Sequence, residues 1–480
     1  MRVDPGFLFE PVVGEGVEAA AIAGQIFSFL LCEFFADHRV YRSGCRVGGA
    51  DLSALIITKL HFDKIFIVSF FDNIIIVINF DKIFIVMKNV IGTPARGDSF
   101  FPRDKEIQKI IDKLSNGNNL NIAAPRRVGK TSILLNLLDK KENHFVYVYV
   151  DSEDVNNESD YFKRILKEVL RTEEIVSSRR LRNLFESGQR FLSRIKGVKI
   201  MGQGIEFTGE DGVVDFKDDL TNLLSGIELE DDKEIIILVD EFPQTIQNII
   251  DASPDDPKPA RKFLQANREI RLNPEISRKV KFILTGSIGL NHTVAQIDST
   301  AFINDLNSVE IAPLTDGEAQ KFLQELLATK NILVGTEVAQ YLLKKIVWLI
   351  PFHIQLAVQE ILSMVPPGAC IDEALIDRAF DAIVERRNEN HFNHYFSRLK
   401  RQFKGDEFSF ADELLDILAR KGIMRKDEII NLAVKYSLMQ KWKGIADILI
   451  YDGYINSNSE GIYQFNSPVI RMWWQRFICK

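Results

Sequence analysis

The eight residues Ala124-Pro125-Arg126-Arg127-Val128-Gly129-Lys130-Thr131 constrain this chain more than any others, because of what flanks them. Before them runs a strand-like segment, Leu120-Asn121-Ile122-Ala123, and after them a helix-like one, Ser132-Ile133-Leu134-Leu135-Asn136-Leu137-Leu138. A compact loop ending in glycine turns its backbone N–H groups inward, and the helix that follows adds the positive end of its dipole. Together they make a cradle for phosphate oxygens. Lys130 is placed to reach the β- and γ-phosphates of a nucleoside triphosphate and Thr131 to offer its hydroxyl to Mg²⁺. Ala124, Pro125, Arg126, Arg127, Val128, Gly129 and Ser132 line the cradle. Ala124 stands where such a loop has its first glycine; alanine keeps the side chain small but tolerates positive φ less well. The bland alternative is a polar loop closed by a glycine.

A second motif argues against that alternative. Glu234-Ile235-Ile236-Ile237-Leu238-Val239-Asp240-Glu241-Phe242 is an apolar run that closes on two acids. A strand apolar on both faces belongs in the middle of a parallel sheet covered by helices, and such sheets place ligands at their C-terminal edge. Asp240 is predicted to hold the Mg²⁺ hydration shell opposite Thr131. Glu241 is placed to orient and polarise a water for in-line attack on the γ-phosphate, which points to hydrolysis rather than binding alone. Strand-like runs at 144–150 and 280–287 alternate with helical ones at 161–170 and 263–271, which predicts an open, doubly wound α/β sheet. Thr285 and Ser287 fall at the C-terminal end of the strand after Asp240, expected beside the strand that feeds the phosphate loop. A hydroxyl there can touch the γ-phosphate or the attacking water; the alternative is a Thr-Gly-Ser turn that simply ends a strand. Asp151 reads as a cap or strand end rather than a Mg²⁺ ligand, and 202–212 as a surface hairpin.

With 480 residues, 26% charged and 46% hydrophobic, the chain has material for two to four ordinary globular domains. A net charge of −7 exerts no global pull toward nucleic acid. Cys32, Cys45, Cys370 and Cys479 match no metal-ligand spacing, so zinc is not expected and they read as reduced thiols of a cytoplasmic protein. The apolar stretch 19–35 follows acids rather than the basic start that export needs.

The first 86 residues are of another kind. Phe62-Asp63-Lys64-Ile65-Phe66-Ile67-Val68 recurs as Phe71-Asp72-Asn73-Ile74-Ile75-Ile76-Val77 and as Phe80-Asp81-Lys82-Ile83-Phe84-Ile85-Val86, a repeat of nine residues three times over. It predicts three β-branched strands that would be an aggregation hazard without a covering face. Its aspartates and lysines recur too often for an apolar span of about twenty residues, so no membrane segment is expected. Two readings stand: a translated short DNA repeat or lineage-specific extension ahead of a functional start at Met87, or three amphipathic strands docking on the main domain. Intact mass or N-terminal sequencing of the natively expressed protein separates them.

Beyond Met87, Arg103 in an aromatic-rich lead-in, Ala-Pro-Arg-Arg-Val-Gly-Lys-Thr-Ser at 124–132, Leu-Val-Asp-Glu-Phe-Pro at 238–243 and Leu-Thr-Gly-Ser-Ile-Gly at 284–289 go together. This set resembles the AAA+-related P-loop ATPases typified by the archaeal ATPase family, close to the STAND group and to origin-recognition-type initiators. The resemblance runs to the C-terminus. It implies ATP rather than GTP, since nothing like a guanine-reading Asn-Lys-x-Asp is in place, and a helical lid with a Gly-x-Pro near the adenine. Here that text is Leu349-Ile350-Pro351-Phe352-His353, with leucine where glycine is usual, so the resemblance puts Pro351 at the adenine and His353 in lid packing. Arg268 and Arg271 are the arginine-finger candidates if the protein assembles head to tail as a homo-oligomer.

Runs at 410–420, 426–436 and 440–449 read as three short helices, and 454–456 with 462–465 as a hairpin, the pattern of a winged helix. The aromatic-rich helix at 467–474 should pack back on the chain. Lys441 and Lys443 suit a DNA contact, whereas Asp447 and Asp452 oppose phosphate; DNA binding stands on one side, and contact with an unknown protein partner or autoinhibitory packing on the other. The domains expected are the repeat-containing extension 1–86, an ATPase core 87–315, a helical lid 316–390 and a winged helix 391–480. The expected function is an ATP-dependent switch, with a DNA-loading ATPase and a scaffold of little turnover as rivals.

Overall fold

The computed structural model describes residues 46–47, 50–51, 55–59, 65–71, 74–79, 87–140, 144–176, 198–201, 204–207, 215–287, 289–332 and 334–479. The chain divides into two units, Met1–Val86 and Met87–Lys480. In the first, Leu55–Lys59, Ile65–Phe71 and Ile74–Asn79 form an antiparallel three-stranded sheet. The strands therefore do not follow the repeat copy by copy. One runs across the copy boundary at Phe71, a third comes from upstream of the repeat, and the last copy at 80–86 lies outside the described residues. Uniformly β-branched text specifies strand but not register, so pairing is set by which neighbours close a hairpin.

In the second unit the alternation of apolar runs becomes a five-stranded parallel sheet. Its strands are β1 (Asn119–Ala123), β2 (Phe145–Asp151), β3 (Glu234–Asp240), β4 (Val280–Thr285) and β5 (Leu306–Glu310). The order across the sheet is β5-β1-β4-β3-β2, so β4 is inserted between the strand that feeds the phosphate loop and the strand that ends in Asp240. Side-chain alternation feeds two cores. Leu120, Ile122, Ile236, Leu238 and Ile283 face one, and Val148, Val150, Ile235, Ile237, Val239, Phe282 and Leu284 face the other. Helices cover both faces, which is why these strands are apolar throughout. At the edge, β5 buries only Val309, and its polar text gave no strand signal. The hairpin expected at 202–212 is formed by Val198–Met201 and Gly204–Phe207, a few residues earlier.

The first core continues past the sheet into four helices, Asp316–Ala328, Thr336–Ile346, Pro351–Met364 and Glu373–Ile383, and on to the C-terminal elements. Those are helices Asn393–Gln402, Gly405–Lys421, Lys426–Lys435 and Trp442–Tyr451, with a three-stranded antiparallel sheet of Ile423–Arg425, Ile462–Phe465 and Ile455–Ser457. The sheet has one strand more than the hairpin expected, because Ile423–Arg425 is too short to carry a periodic signal. Helix Pro468–Phe477 returns onto the chain with Trp473 and Trp474 fully buried, and the Trp474 indole donates to Asp416 at 2.8 Å. Among the described residues no helix is long and apolar enough to cross a membrane.

Candidate active site

Parallel register brings the ends of four strands level. Asp240 lies opposite Asp151, Val239 opposite Leu284, and Thr285 opposite Ile122, one residue short of the end of β1. The loop leaving β1 turns through Arg127 at φ 67° and Gly129 at φ 100° before helix Lys130–Asp139 begins. At Gly129 the left-handed conformation explains the glycine; at Arg127 it costs about 1–3 kcal/mol, which the surrounding structure must hold in place. Ser132, in the first turn, accepts a hydrogen bond from the Ala95 amide at 3.0 Å and so ties the lead-in segment to the loop. Arg103, also in the lead-in, donates to the Ala312 carbonyl at 2.7 Å and to Glu106.

Lys130 is buried, and its ammonium donates to the carbonyls of Ala124 and Pro125 at 2.8 and 2.9 Å. Burial pulls its pKa down to about 8, against the opposing pull of Glu241 and Asp240. The Thr131 hydroxyl donates to Asp240 Oδ2 at 2.7 Å across 109 residues of sequence, and the Tyr149 hydroxyl reaches the same oxygen at 3.2 Å. Burial raises the Asp240 carboxyl to about 6, partly offset by the Thr131 hydrogen bond. Asp151 is not drawn in: it accepts from the Glu153 amide at 3.0 Å, as a strand-end cap does.

Glu241 begins the next helix in the left-handed conformation, φ 58°. Its Oε2 accepts from both the amide and the hydroxyl of Ser287, each at 2.9 Å. The intervening Gly286 packs against Pro243: a Cβ there would lie 2.5 Å from Pro243 Cδ, so only glycine lets the two turns approach. Thr285 is buried, and its hydroxyl has no hydrogen-bond partner among the described residues.

Beyond the sheet, Pro351 opens its helix at N1, and the next ring, Phe352, lies under the Arg127 guanidinium with its centroid 4.5 Å from Cζ. His353 is fully buried, 3.3 Å from the Trp348 carbonyl, and burial lowers it to about 4, so it packs as a neutral ring. The arginine-finger candidates are spent within the chain. Arg271, 2% exposed, holds Asp305 through two nitrogens at 2.7 and 3.0 Å, and Arg268 donates to Asn304 at 3.0 Å. Their helix, Lys258–Leu272, packs its basic face on the segment ahead of β5, which a local reading of the helix does not reveal.

Three participants were missed in the sequence. Tyr149 sits in a run that reads only as strand. Arg398 and Asp452, both buried, reach the site from the C-terminal elements, and no local pattern distinguishes them from solvated charges.

No family model and no curated protein matches the sequence. Solved structures do. The Walker-type ATPase paby2304 of Pyrococcus abyssi superposes with a TM-score of 0.55 at 17% identity, covering 80% of this chain and 99% of that one. An Aeropyrum pernix ORC2 protein in ADPNP-ADP complexes gives 0.46 at 11% identity, covering 81% of this chain and 95% of that one. The Thermotoga maritima RuvB Holliday junction branch migration motor gives 0.39 at 10%, covering 80% and 96%. The first of these, together with the strand order, the loop geometry at 124–131 and the helical C-terminal region, assigns the fold: this chain has the same α/β P-loop architecture as that Walker-type ATPase.

Proposed function

We propose that this protein is a Mg²⁺-dependent ATP hydrolase that works as a switch, its C-terminal elements forming a winged helix that passes the nucleotide state to a protein partner. One observation carries the reading: Lys130, Thr131, Asp240 and Glu241, distant in sequence, converge on one sheet edge, with Thr131 and Asp240 in direct contact. The donor set suits the ligands. A buried ammonium at the start of a helix fits a polyphosphate, and a hydroxyl paired with a carboxylate fits a hard cation. Among the described residues no group of three or more His, Cys, Asp or Glu side chains is arranged to hold a metal. A Mg²⁺ ion would therefore be completed by phosphate oxygens and water, as such ions usually are.

When bound, Mg²⁺ supplies neutralisation of charge on the phosphates. Thr131 and Asp240 would hold it, and the remaining work belongs to the chain. Lys130 exchanges the Ala124 and Pro125 carbonyls for phosphate oxygens. Glu241, one oxygen tethered by Ser287, keeps the other for a water. Thr285, with its buried hydroxyl unspent, is placed to read the terminal phosphate, and Pro351 to border the base. The DNA-loading rival gains nothing from the geometry: Lys441 is ion-paired with Glu407 at 2.7 Å, and Gly444, Asp447 and Tyr451 line a cavity of about 270 Å³ facing Asn121, Gly289 and His292 of the core.

Asp240→Asn is expected to lower Mg²⁺-dependent phosphate release on the order of a hundredfold or more, read by a phosphate-release assay. Unchanged release would remove the site assignment. The two shifted groups also set a pH window. Lys130, its pKa lowered to about 8, must be charged to hold phosphate, so affinity falls as pH rises beyond that value. Asp240, raised to about 6, must be ionised to hold the cation, so affinity falls as pH drops through it. Calorimetric titration with MgATP should show tightest binding between the two, weakening by up to about tenfold per unit outside. A flat profile from pH 5 to 9 would count against both roles.

A further inference from the structure

We propose that Arg398, on helix Asn393–Gln402, is a positioning residue for Glu241, acting through Ser287, so that hydrolysis requires the C-terminal elements from 393 to 479, called the C-terminal unit below, docked on the core. The inference rests on the hydrolase reading above and names what regulates that site. Its basis is an unbroken line of contacts, buried at Asp452 and Arg398 and half-buried where it reaches Glu241. Asp452, 4% exposed, accepts from Arg398 Nη2 at 2.7 Å, and the same nitrogen donates to the Ser287 carbonyl. Ser287 in turn places its amide and hydroxyl on Glu241 Oε2, each at 2.9 Å.

Each link has a physical reason to be rigid. A buried guanidinium and a buried carboxylate hold one another, because parting them strands a charge out of water. Both hydrogens of one nitrogen are used, one for the carboxylate and one for the carbonyl, which pins the Ser287 carbonyl. With its carbonyl held, the Ser287 Cα that carries both the amide and the hydroxyl has less room to move. Two donors on a single oxygen then set the Glu241 carboxylate and leave Oε1 as the base.

The surroundings lock the line to the position of the C-terminal unit. Gly453, next to Asp452, is wedged between lid and phosphate loop: a Cβ there would lie 2.5 Å from Trp348 Cη2 and 3.3 Å from Pro125 Cβ. Tyr451, on its other side, presses its ring on Gly289, where a Cβ would lie 3.1 Å from it. Moving the C-terminal unit thus withdraws Arg398 from Ser287 and unwedges Pro125 at once. A partner that pulls on this unit would switch turnover off without touching the nucleotide.

The test compares ATP turnover and equilibrium ATP binding in the full chain for wild type, Arg398→Met, Arg398→Lys and Asp452→Asn, each also combined with Glu241→Gln. Arg398→Met should lower kcat by about 10- to 100-fold, the scale of a misplaced reacting group, with the ATP Kd within about threefold of wild type. Arg398→Lys, which can still bridge one acceptor, should recover at least about a third of that loss on a logarithmic scale. In the Glu241→Gln background Arg398→Met should change the residual rate by less than about twofold, since both act through one group. If Arg398→Met does not fold, Arg398→Lys and Asp452→Asn, which keep the shape of the pair, give the same split between kcat and Kd. Higher turnover in the Arg398 or Asp452 variants, a change in Kd alone, or an undiminished effect when Glu241 is already Gln would overturn the inference. Normal turnover by Glu241→Gln itself would instead sink the hydrolase reading beneath it.

Discussion

Glu241→Gln is expected to bind MgATP about as tightly as wild type while losing on the order of 10²–10⁴ in turnover, the range associated with removing a general base. The substitution is isosteric and preserves the carbonyl oxygen that accepts from the Ser287 amide and hydroxyl, so the turn at Gly286 and Pro243 keeps its packing. What disappears is the second, basic oxygen. Glutamine can still hold a water but cannot take its proton. Single-turnover measurement under saturating ATP separates the steps: binding should saturate as before, and the chemical step should slow by the full amount. A variant that hydrolyses at the wild-type rate would leave only a nucleotide-dependent scaffold.

Lys130→Ala is expected to act earlier, on binding. Charged hydrogen bonds contribute about 1.5–3 kcal/mol each, so loss of the ammonium should weaken ATP by roughly a hundredfold or more. Two further effects add to it. The Ala124 and Pro125 carbonyls lose their common donor, which leaves the strained turn at Arg127 less well held. The buried Asp240 and the half-buried Glu241 also lose the positive charge that offsets theirs, so the site turns more repulsive to a polyphosphate. Titration with a fluorescent ATP analogue checks this directly. Retained submicromolar binding by Lys130→Ala would place the nucleotide elsewhere on the chain. The two variants together tell binding from chemistry, because one should abolish saturation and the other should leave it intact.

How much of this was open to a reader of the sequence depends on the kind of interaction. The loop at 124–131 was legible because its geometry is local: a left-handed glycine and a helix start must be consecutive in any chain that builds them. The strand ending at Asp240 was legible because burial on both faces demands an unbroken apolar run. The strand at 306–310 was not, since an edge strand buries one side chain in five and its polar text reads as loop. The repeat near the N-terminus announced strands yet misassigned them, because near-identical copies carry little register information.

Sequence alone determined that a parallel sheet would be built and which residues stand at the ends of its strands, those proposed to cradle phosphate, hold a cation and activate water. Tertiary structure decided the rest. It put β4 between β1 and β3 and so brought Ser287 to Glu241, it committed Arg271 to Asp305, and it carried Arg398 and Asp452 into the core from the far end of the chain. The reason is physical. A backbone cradle is specified by neighbours along the chain, whereas a long side chain's partner is specified by whichever buried charge the folded packing leaves within its reach.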